Sequence, residues 1–333
     1  MRFVVLGAGS IGQRHLANSL ALGHDVVAVH DPRADALEQV RSLVSSSCRL
    51  SREEQAALDT DADAVFVCSP TAAHVAQARA ALARGRHVFV EKPLSHVLDG
   101  TDALVRDAVA ARRTVLVGCN LRFFPSLVLV KRLVEDGRIG RPLSVRAHCG
   151  YYLPYWRPHI DYRRGYGARQ ASGGGIILDS IHEFDYVTWL MGLPREVFCY
   201  AGRVSTLEID TEDTADVLLK FADGVVANVH LDYLQRTYRR SCDVIGEDGV
   251  ISWDYIAQSV SLYGKDDRRL EVFQESINTE RNQMFVDEVR HFARAIEGAE
   301  TPALDAAGGR NVLRVALAAK ASAAAGRPFM VEP

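Results

Sequence analysis

The sequence predicts an α/β protein: a doubly wound parallel sheet at the amino end, then an α+β domain built on a large, mostly antiparallel, open sheet. Three observations carry this expectation. Over the first 120 residues short apolar runs alternate with alanine-rich helical stretches, the order that strand–helix–strand crossovers impose. Beyond about residue 140 the runs instead alternate apolar and polar residues, as half-exposed antiparallel strands do. The length of 333 residues is enough for two cores of ordinary size. The expected division is 1–120 and 121–333, with a closing helix able to pack back on the first domain.

Phe3–Leu6 is an unbroken apolar run, suited to a strand buried on both faces. It leads into Gly7-Ala8-Gly9-Ser10-Ile11-Gly12. A strand, then G-x-G-x-x-G, then a helix is the arrangement that wraps a dinucleotide pyrophosphate. Gly7 makes the tight turn, Gly9 lets backbone approach the phosphates, and Gly12 lets the helix lie close on the strand. Ser10 and Ile11 open that helix, whose free N–H groups face the anion. The second run, Val26–Val29, ends in His30-Asp31, at the distance where an acidic side chain bonds the ribose hydroxyls. The charge of Asp31 repels a 2′-phosphate, so NAD is the expected cofactor. Arg33, with His30 beside it, keeps NADP as the alternative. Ala64–Cys68, Val88–Val90 and Val115–Val117 continue the series, with helical segments Thr71–Ala83 and Ser95–Arg112 between them. Ligands of such sheets bind at the carboxyl ends of the strands. There stand Ser69-Pro70-Thr71, Glu91-Lys92-Pro93 and Asn120.

In the second half the strand candidates are Val145–Cys149, Val197–Val204, Ala215–Phe221, Val225–Tyr233 and Arg240–Ile245. Asp223-Gly224 and Asp248-Gly249 suit the tight turns of hairpins. Helices are expected over Ile176–Met191, over Met284–Ile296 and over Arg310–Ala325. In the second of these, Met284, Phe285, Val289, Phe292 and Ile296 share one face. The open sheet face calls for cover, and a second copy of the chain is the expected cover, giving a homodimer or homotetramer.

Composition narrows the function classes. A hydrophobic content of 48%, 24% charged residues and a net charge of −3 give no reason to expect nucleic acid or an anionic membrane as partner. No apolar stretch approaches the ~20 residues of a membrane span. Met1 runs straight into the first strand, leaving no room for a signal peptide. The six cysteines are scattered with no C-x-x-C pair, which argues against a structural zinc site and for a reducing, cytoplasmic location.

Two groups of residues can do chemistry. Lys92 sits at a strand's carboxyl end, aimed by Pro93, whose peptide bond can be cis. Near a nicotinamide cation and partly desolvated, its pKa would fall far enough to exchange a proton with a substrate hydroxyl. The second group follows Gly173-Gly174-Gly175: Asp179 and His182, three apart on one expected helix, form a candidate acid/base unit. Glu183 and Asp185 point elsewhere and are read as structural. No third ligand at suitable spacing accompanies Asp179 and His182, so no metal is expected.

GAGSIGQRHL, CSPTAAH, EKPLS, GCNLRFFP and GGGIILDSIHEFDYVTWLMG stand in the order found in the glucose-fructose oxidoreductase/inositol dehydrogenase (Gfo/Idh/MocA) family, which the chain resembles over its whole length. The resemblance implies a Rossmann domain, a carboxyl-terminal domain with a large open sheet, and a dimer or tetramer. It implies hydride transfer between NAD(P) and a hydroxyl carbon of a sugar or cyclitol. By the same resemblance Lys92 is the family's EKP lysine, and Asp179 with His182 its catalytic pair. Ser69, Pro70, His74 and Glu91 would line the cofactor, with Asn120 and Arg122 at the nicotinamide and substrate end. One departure is the spacing: the family usually places the Asp and His four apart, whereas here they are three apart, a spacing that still keeps one helix face. Relatives of this fold that recycle tightly bound NAD, or that only sense a dinucleotide, are the alternatives. The retained Lys92, Asp179 and His182 favour an enzyme.

The stretch Tyr151–Gln170 carries six aromatics and four arginines against one Asp161. Aromatic faces stack on sugar rings and arginine forks bind phosphate or carboxylate. Tyr152, Trp156, Arg157, Arg163, Arg164 and Tyr166 are therefore expected to bind an anionic sugar, such as a nucleotide-sugar, sugar phosphate or acidic sugar. An arm packed on a neighbouring subunit is the other reading. DYRRGYGARQASGGG is similar to a subgroup associated with surface-polysaccharide and nonulosonate pathways.

Overall fold

The structure, a computed structural model, describes residues 1–158, 160–266, 268–274 and 280–331; His159, inside the aromatic- and arginine-rich stretch, lies outside them. Contacts divide the chain into two units, Met1–Asn120 with Glu280–Arg310, and Leu121–Thr279 with Asn311–Pro333. The return to the first unit thus comes through the helix Gln283–Ile296; the closing helix, expected over Arg310–Ala325, runs over Ala306–Ala325, with Asn311 onward in the second unit.

In the first unit six strands, β1 (Arg2–Leu6), β2 (Asp25–His30), β3 (Arg49–Ser51), β4 (Ala64–Val67), β5 (His87–Glu91) and β6 (Val115–Gly118), pair in the order β3-β2-β1-β4-β5-β6. Every pairing is parallel. This is the order of a dinucleotide-binding doubly wound sheet, whose reversal point lies between β1 and β4. The apolar runs are strands because both sheet faces are covered: β4 is buried at all four residues. Phe3, Phe66, Phe89 and Phe292 interlock in the core, Phe66 stacking on Phe89 at 4.8 Å and Phe292 edge-on to both at 5.5 and 5.7 Å.

The second unit is a nine-stranded sheet. Its strands β7 (Pro142–Gly150), β8 (Glu196–Gly202), β9 (Thr214–Lys220), β10 (Val226–Asp232), β11 (Arg239–Gly246), β12 (Gly249–Asp254), β13 (Ser259–Gly264), β14 (Arg269–Gln274) and β15 (Phe329–Met330) lie in the order β14-β13-β12-β11-β7-β10-β9-β8-β15. Only β7 and β10 run parallel; the other pairings are antiparallel. Period-two alternation puts Ala147, Cys149, Val217, Val229 and Leu231 on the buried face. Tyr200, Leu218, Val226 and Val272 stay exposed. Among the described residues, no helix is long and apolar enough to cross a membrane, and the six cysteines form no disulfide.

Several expectations are corrected. The helix expected over Ser95–Arg112 begins only at Thr101, because the Ser95 hydroxyl takes the Val97 N–H and starts a turn instead. Thr71–Ala83 opens with a 3₁₀ turn before the helix His74–Leu82. The helix over Ile176–Met191 is broken at Ser180 (φ −95°, ψ 36°) into Ile176–Asp179 and Ile181–Met191. Phe292 is fully buried although its helix lies far along the sequence. Phe292→Ala should therefore cost about 3–5 kcal/mol, read as a fall in the urea midpoint; a loss under about 1 kcal/mol would place Phe292 outside the first unit's core.

Candidate active site

The first unit builds its site on the turn after β1. Gly7 has φ +97°, and a Cβ there would lie 2.6 Å from the Cys68 carbonyl oxygen. A Cβ at Gly12 would lie 1.9 Å from the Gly7 carbonyl oxygen, so the helix Ser10–Ala21 rests directly on the turn. Gly9, by contrast, faces open space, with nothing within 4 Å of its Cβ direction. A turn packed tightly at Gly7 and Gly12 and open at Gly9 fits a pyrophosphate laid over the helix start. Asp31 is buried, and its carboxylate accepts the Ala8 N–H (2.9 Å) and the Arg33 N–H (2.9 Å) as well as the Arg33 guanidinium. Burial pushes its pKa up, but the bonds from Arg33 and Ala8 outweigh this and hold it below the usual carboxylate value. Asp31 is therefore an anion fastened to the glycine turn.

At the next strand ends, His74 is buried between the carbonyls of Pro93 (2.9 Å) and Ser69 (2.8 Å), so one ring ties two candidate cofactor loops together. Burial lowers its pKa. Ser69 donates to Gln77 (2.5 Å). Glu91 accepts from the His15 ring (2.7 Å) and from the Lys92 N–H (3.1 Å), fixing the end of β5 to the first helix. The Lys92–Pro93 peptide is cis, and Lys92 itself is half-buried. Asn120 is buried, its amide 3.0 Å from the Met284 sulfur.

In the second unit an open cleft is lined by Leu153, Trp156, Arg157, Tyr162, Tyr166 and Asp179, among others. The Asp179 carboxylate closes one part of it, accepting hydrogen bonds from the hydroxyls of Tyr166 and of Tyr233, the latter at 2.8 Å. Burial and the Asp179 charge raise the Tyr233 pKa well above its usual value, so this hydroxyl keeps its proton and donates. The break at Ser180 leaves Asp179 at the end of one short helix and His182, also buried, in the first turn of the next. They do not share one regular helix, as the spacing suggested. Tyrosine hydroxyls orient the carboxylate.

The triple glycine serves the protein itself. Gly175 has φ +108°, and a Cβ there would meet the Glu212 carboxylate at 2.3 Å; Glu212 in turn pairs with Lys320 at 2.9 Å. Arg122, expected at the substrate, forks onto the buried Asp185 (2.8–3.1 Å), is itself largely shielded, and stacks over Trp189. The buried Glu183 pairs with Arg240 at 2.8 Å.

The aromatic and basic stretch divides. Trp156, Arg157 and Tyr166 line the cleft, with the Arg157 guanidinium over the Tyr166 ring (5.6 Å) and Trp156 edge-on to Tyr233 (5.4 Å). Tyr152 instead stacks under Arg236 at 3.6 Å. Arg163 is held on the surface by Asp161 (2.9 Å) and Glu208 (3.3 Å). Arg164 is exposed and does not line the cleft. Neither Arg163 nor Arg164 lines the cleft as expected; Arg163 is drawn off by the nearby Asp161 and by Glu208, far along the chain. The sequence reading missed Tyr233, hidden at the end of an apolar strand, and Gly167, where a Cβ would press on Asp179 (2.9 Å) and the Tyr233 hydroxyl (3.1 Å).

Residues 1–119 match the profile of an oxidoreductase family with an NAD-binding Rossmann fold, and residues 127–252 match the GFO/IDH/MocA C-terminal domain. The chain is 30% identical to the uncharacterized oxidoreductase YrbE of Bacillus subtilis, over 98% of this chain and 96% of that one. It is 29% identical to myo-inositol 2-dehydrogenase of Thermotoga maritima, over 97% and 96% of the two. Its structure matches that of a probable dehydrogenase from Thermotoga maritima with a TM-score of 0.82 at 28% identity, covering 99% of both chains.

Gly167→Ala should disturb the bond between Tyr233 and Asp179. Steady-state kinetics should then show turnover down by about tenfold or more, as expected when one positioned hydrogen bond of 1.4 kcal/mol or so is lost, with NAD binding unchanged. Unaltered turnover would separate Asp179 from the reaction.

Proposed function

This chain belongs to the Gfo/Idh/MocA family of NAD-dependent oxidoreductases, and we propose that it oxidises or reduces one hydroxyl-bearing carbon of a sugar ring that also carries an anionic group. The observation behind the anionic group is Arg157: it is the cation among the described residues lining the cleft, exposed at its edge and set over Tyr166. An arginine fork there meets a carboxylate or phosphate in bidentate fashion. Trp156 and Tyr166 offer aromatic faces to the ring. The Asp179 carboxylate accepts from a ring hydroxyl.

NAD, when bound, supplies the hydride acceptor at its nicotinamide. Gly7, Gly9 and Gly12 with the N–H groups of Ser10 and Ile11 would hold its pyrophosphate, and Asp31 its ribose hydroxyls. The anionic state of Asp31 supports NAD over NADP, since a 2′-phosphate would face a fixed negative charge. Arg33 is engaged with that same carboxylate. Lys92 and His182 are the groups assigned to the reacting hydroxyl: one holds it by a hydrogen bond while the other takes its proton during oxidation, and the proton returns during reduction. Asp179, fixed by Tyr166 and Tyr233, bears on the neighbouring hydroxyl and keeps its charge in place.

A neutral cyclitol is the second reading, favoured by the inositol dehydrogenases among the relatives. The two are separated by following NADH absorbance with acidic sugars, their neutral parents and inositols. With an anionic substrate, Arg157→Ala should raise KM about ten- to hundredfold, the worth of one hydrogen bond to a charged group, with kcat little changed, while Arg163→Ala has little effect. If Arg157→Ala leaves KM unchanged and inositols turn over fastest, the cyclitol reading replaces it. Lys92→Ala should abolish turnover while NAD still binds, checked by fluorescence quenching; retained turnover would remove Lys92 from the mechanism.

A further inference from the structure

We propose that His148, His230 and Asp232 form a binding site for one divalent transition-metal ion, zinc or a cation of similar preference, on the exposed face of the nine-stranded sheet. The site follows from register. β7 and β10 run parallel with His148 opposite His230 and Gly150 opposite Asp232. Because Ala147, Cys149, Val229 and Leu231 take the buried face, the three candidate ligands fall together on the other one. Their donor atoms all lie within 4.8 Å of one another. The Asp232 Oδ2 is 3.2 Å from His230 Nε2 and 3.9 Å from His148 Nε2. An ion bound tetrahedrally at about 2.0–2.1 Å holds its donors about 3.3 Å apart, so small side-chain rotations suffice.

The surroundings are those of ligands held in place. His230 has its second nitrogen, Nδ1, 2.8 Å from the Asp216 carboxylate on β9, the carboxylate–histidine arrangement that fixes a metal-binding imidazole. Asp232 spends Oδ1 on the N–H groups of Leu234 and Gln235, both at 2.7 Å, which leaves Oδ2 for an ion. Gly150 permits this pose: a Cβ there would lie 2.3 Å from Oδ2. Gln235 stands 3.0 Å from His148 Nε2 and can yield its place, with solvent completing the coordination. Two imidazoles and one carboxylate suit zinc, nickel or copper rather than magnesium or calcium.

Such an ion would clamp two neighbouring strands one residue before Tyr233, the tyrosine that donates to Asp179 on the other side of the sheet. The test uses the full chain, stripped by dialysis against a chelator and titrated with Co²⁺, read by visible absorption and calorimetry, with Zn²⁺ as competitor. The proposal expects one equivalent bound per chain with a four-coordinate cobalt spectrum, displaced by zinc, and a raised thermal midpoint. His148→Ala and His230→Ala should each abolish that binding. Asp216→Asn, which keeps every ligand and guards against a variant that fails to fold, should weaken it about 10–100-fold. Absence of saturable binding, or binding by His148→Ala or His230→Ala as tight as that of the unsubstituted chain, overturns the site.

Discussion

A single methyl group at Gly12 would sit 1.9 Å from the Gly7 carbonyl oxygen, and the first unit is organised around its absence. With the helix Ser10–Ala21 pressed onto the turn, the Gly7 N–H reaches the His30 carbonyl (2.7 Å) and the Ala8 N–H reaches Asp31 (2.9 Å). The neighbouring strand is thereby locked to the loop it serves. His15, one turn into the same helix, meets Glu91 at the end of β5. The position of Lys92 is thus tied, through one buried bond, to the helix that packs on the glycine turn. Loss of that contact would loosen several groups together, since each is placed by the next.

The second unit is organised by buried charge. Arg122 with Asp185 and Arg240 with Glu183 are almost wholly removed from solvent. Such pairs add little net stability, because desolvation offsets their attraction, yet breaking one strands its partner at about 3–5 kcal/mol. Their effect is to fix the helix Ile181–Met191, and with it His182, against the sheet. Asp179 is treated differently: its charge is met by hydroxyls, which orient a carboxylate without neutralising it. That difference separates the acids that build the fold from the one that faces the cleft.

Much of this was legible in the sequence wherever a local pattern reports a local cause. Buried parallel strands read as apolar runs because both of their faces are covered, and β1, β2 and β4 lie where Phe3–Leu6, Val26–Val29 and Ala64–Cys68 suggest. Three-residue β3 is too short to show a period, and β13, with serine at alternate positions, too weakly apolar. The break at Ser180 left no trace because every residue around it is buried, so apolar periodicity runs on across it. Partners distant along the chain were equally invisible. Nothing near Arg163 announces Glu208, and nothing near the triple glycine announces Glu212. The tyrosine that holds Asp179 looked like one more core aromatic, since a buried hydroxyl and a buried ring leave the same mark on hydropathy.

The core of the first unit has a consequence for how the chain is made. Phe292 packs on Phe66 and Phe89, yet the whole of Leu121–Thr279 is synthesised between them. At about 5–20 residues per second this is a delay of roughly 8–30 s. During that interval the nascent parallel sheet has its strands but lacks the helix that seals one aromatic face. The ribosome therefore presents an unfinished nucleotide fold to the cell while the second unit is still emerging, and a chaperone that shields aromatic surface would have its longest opportunity there.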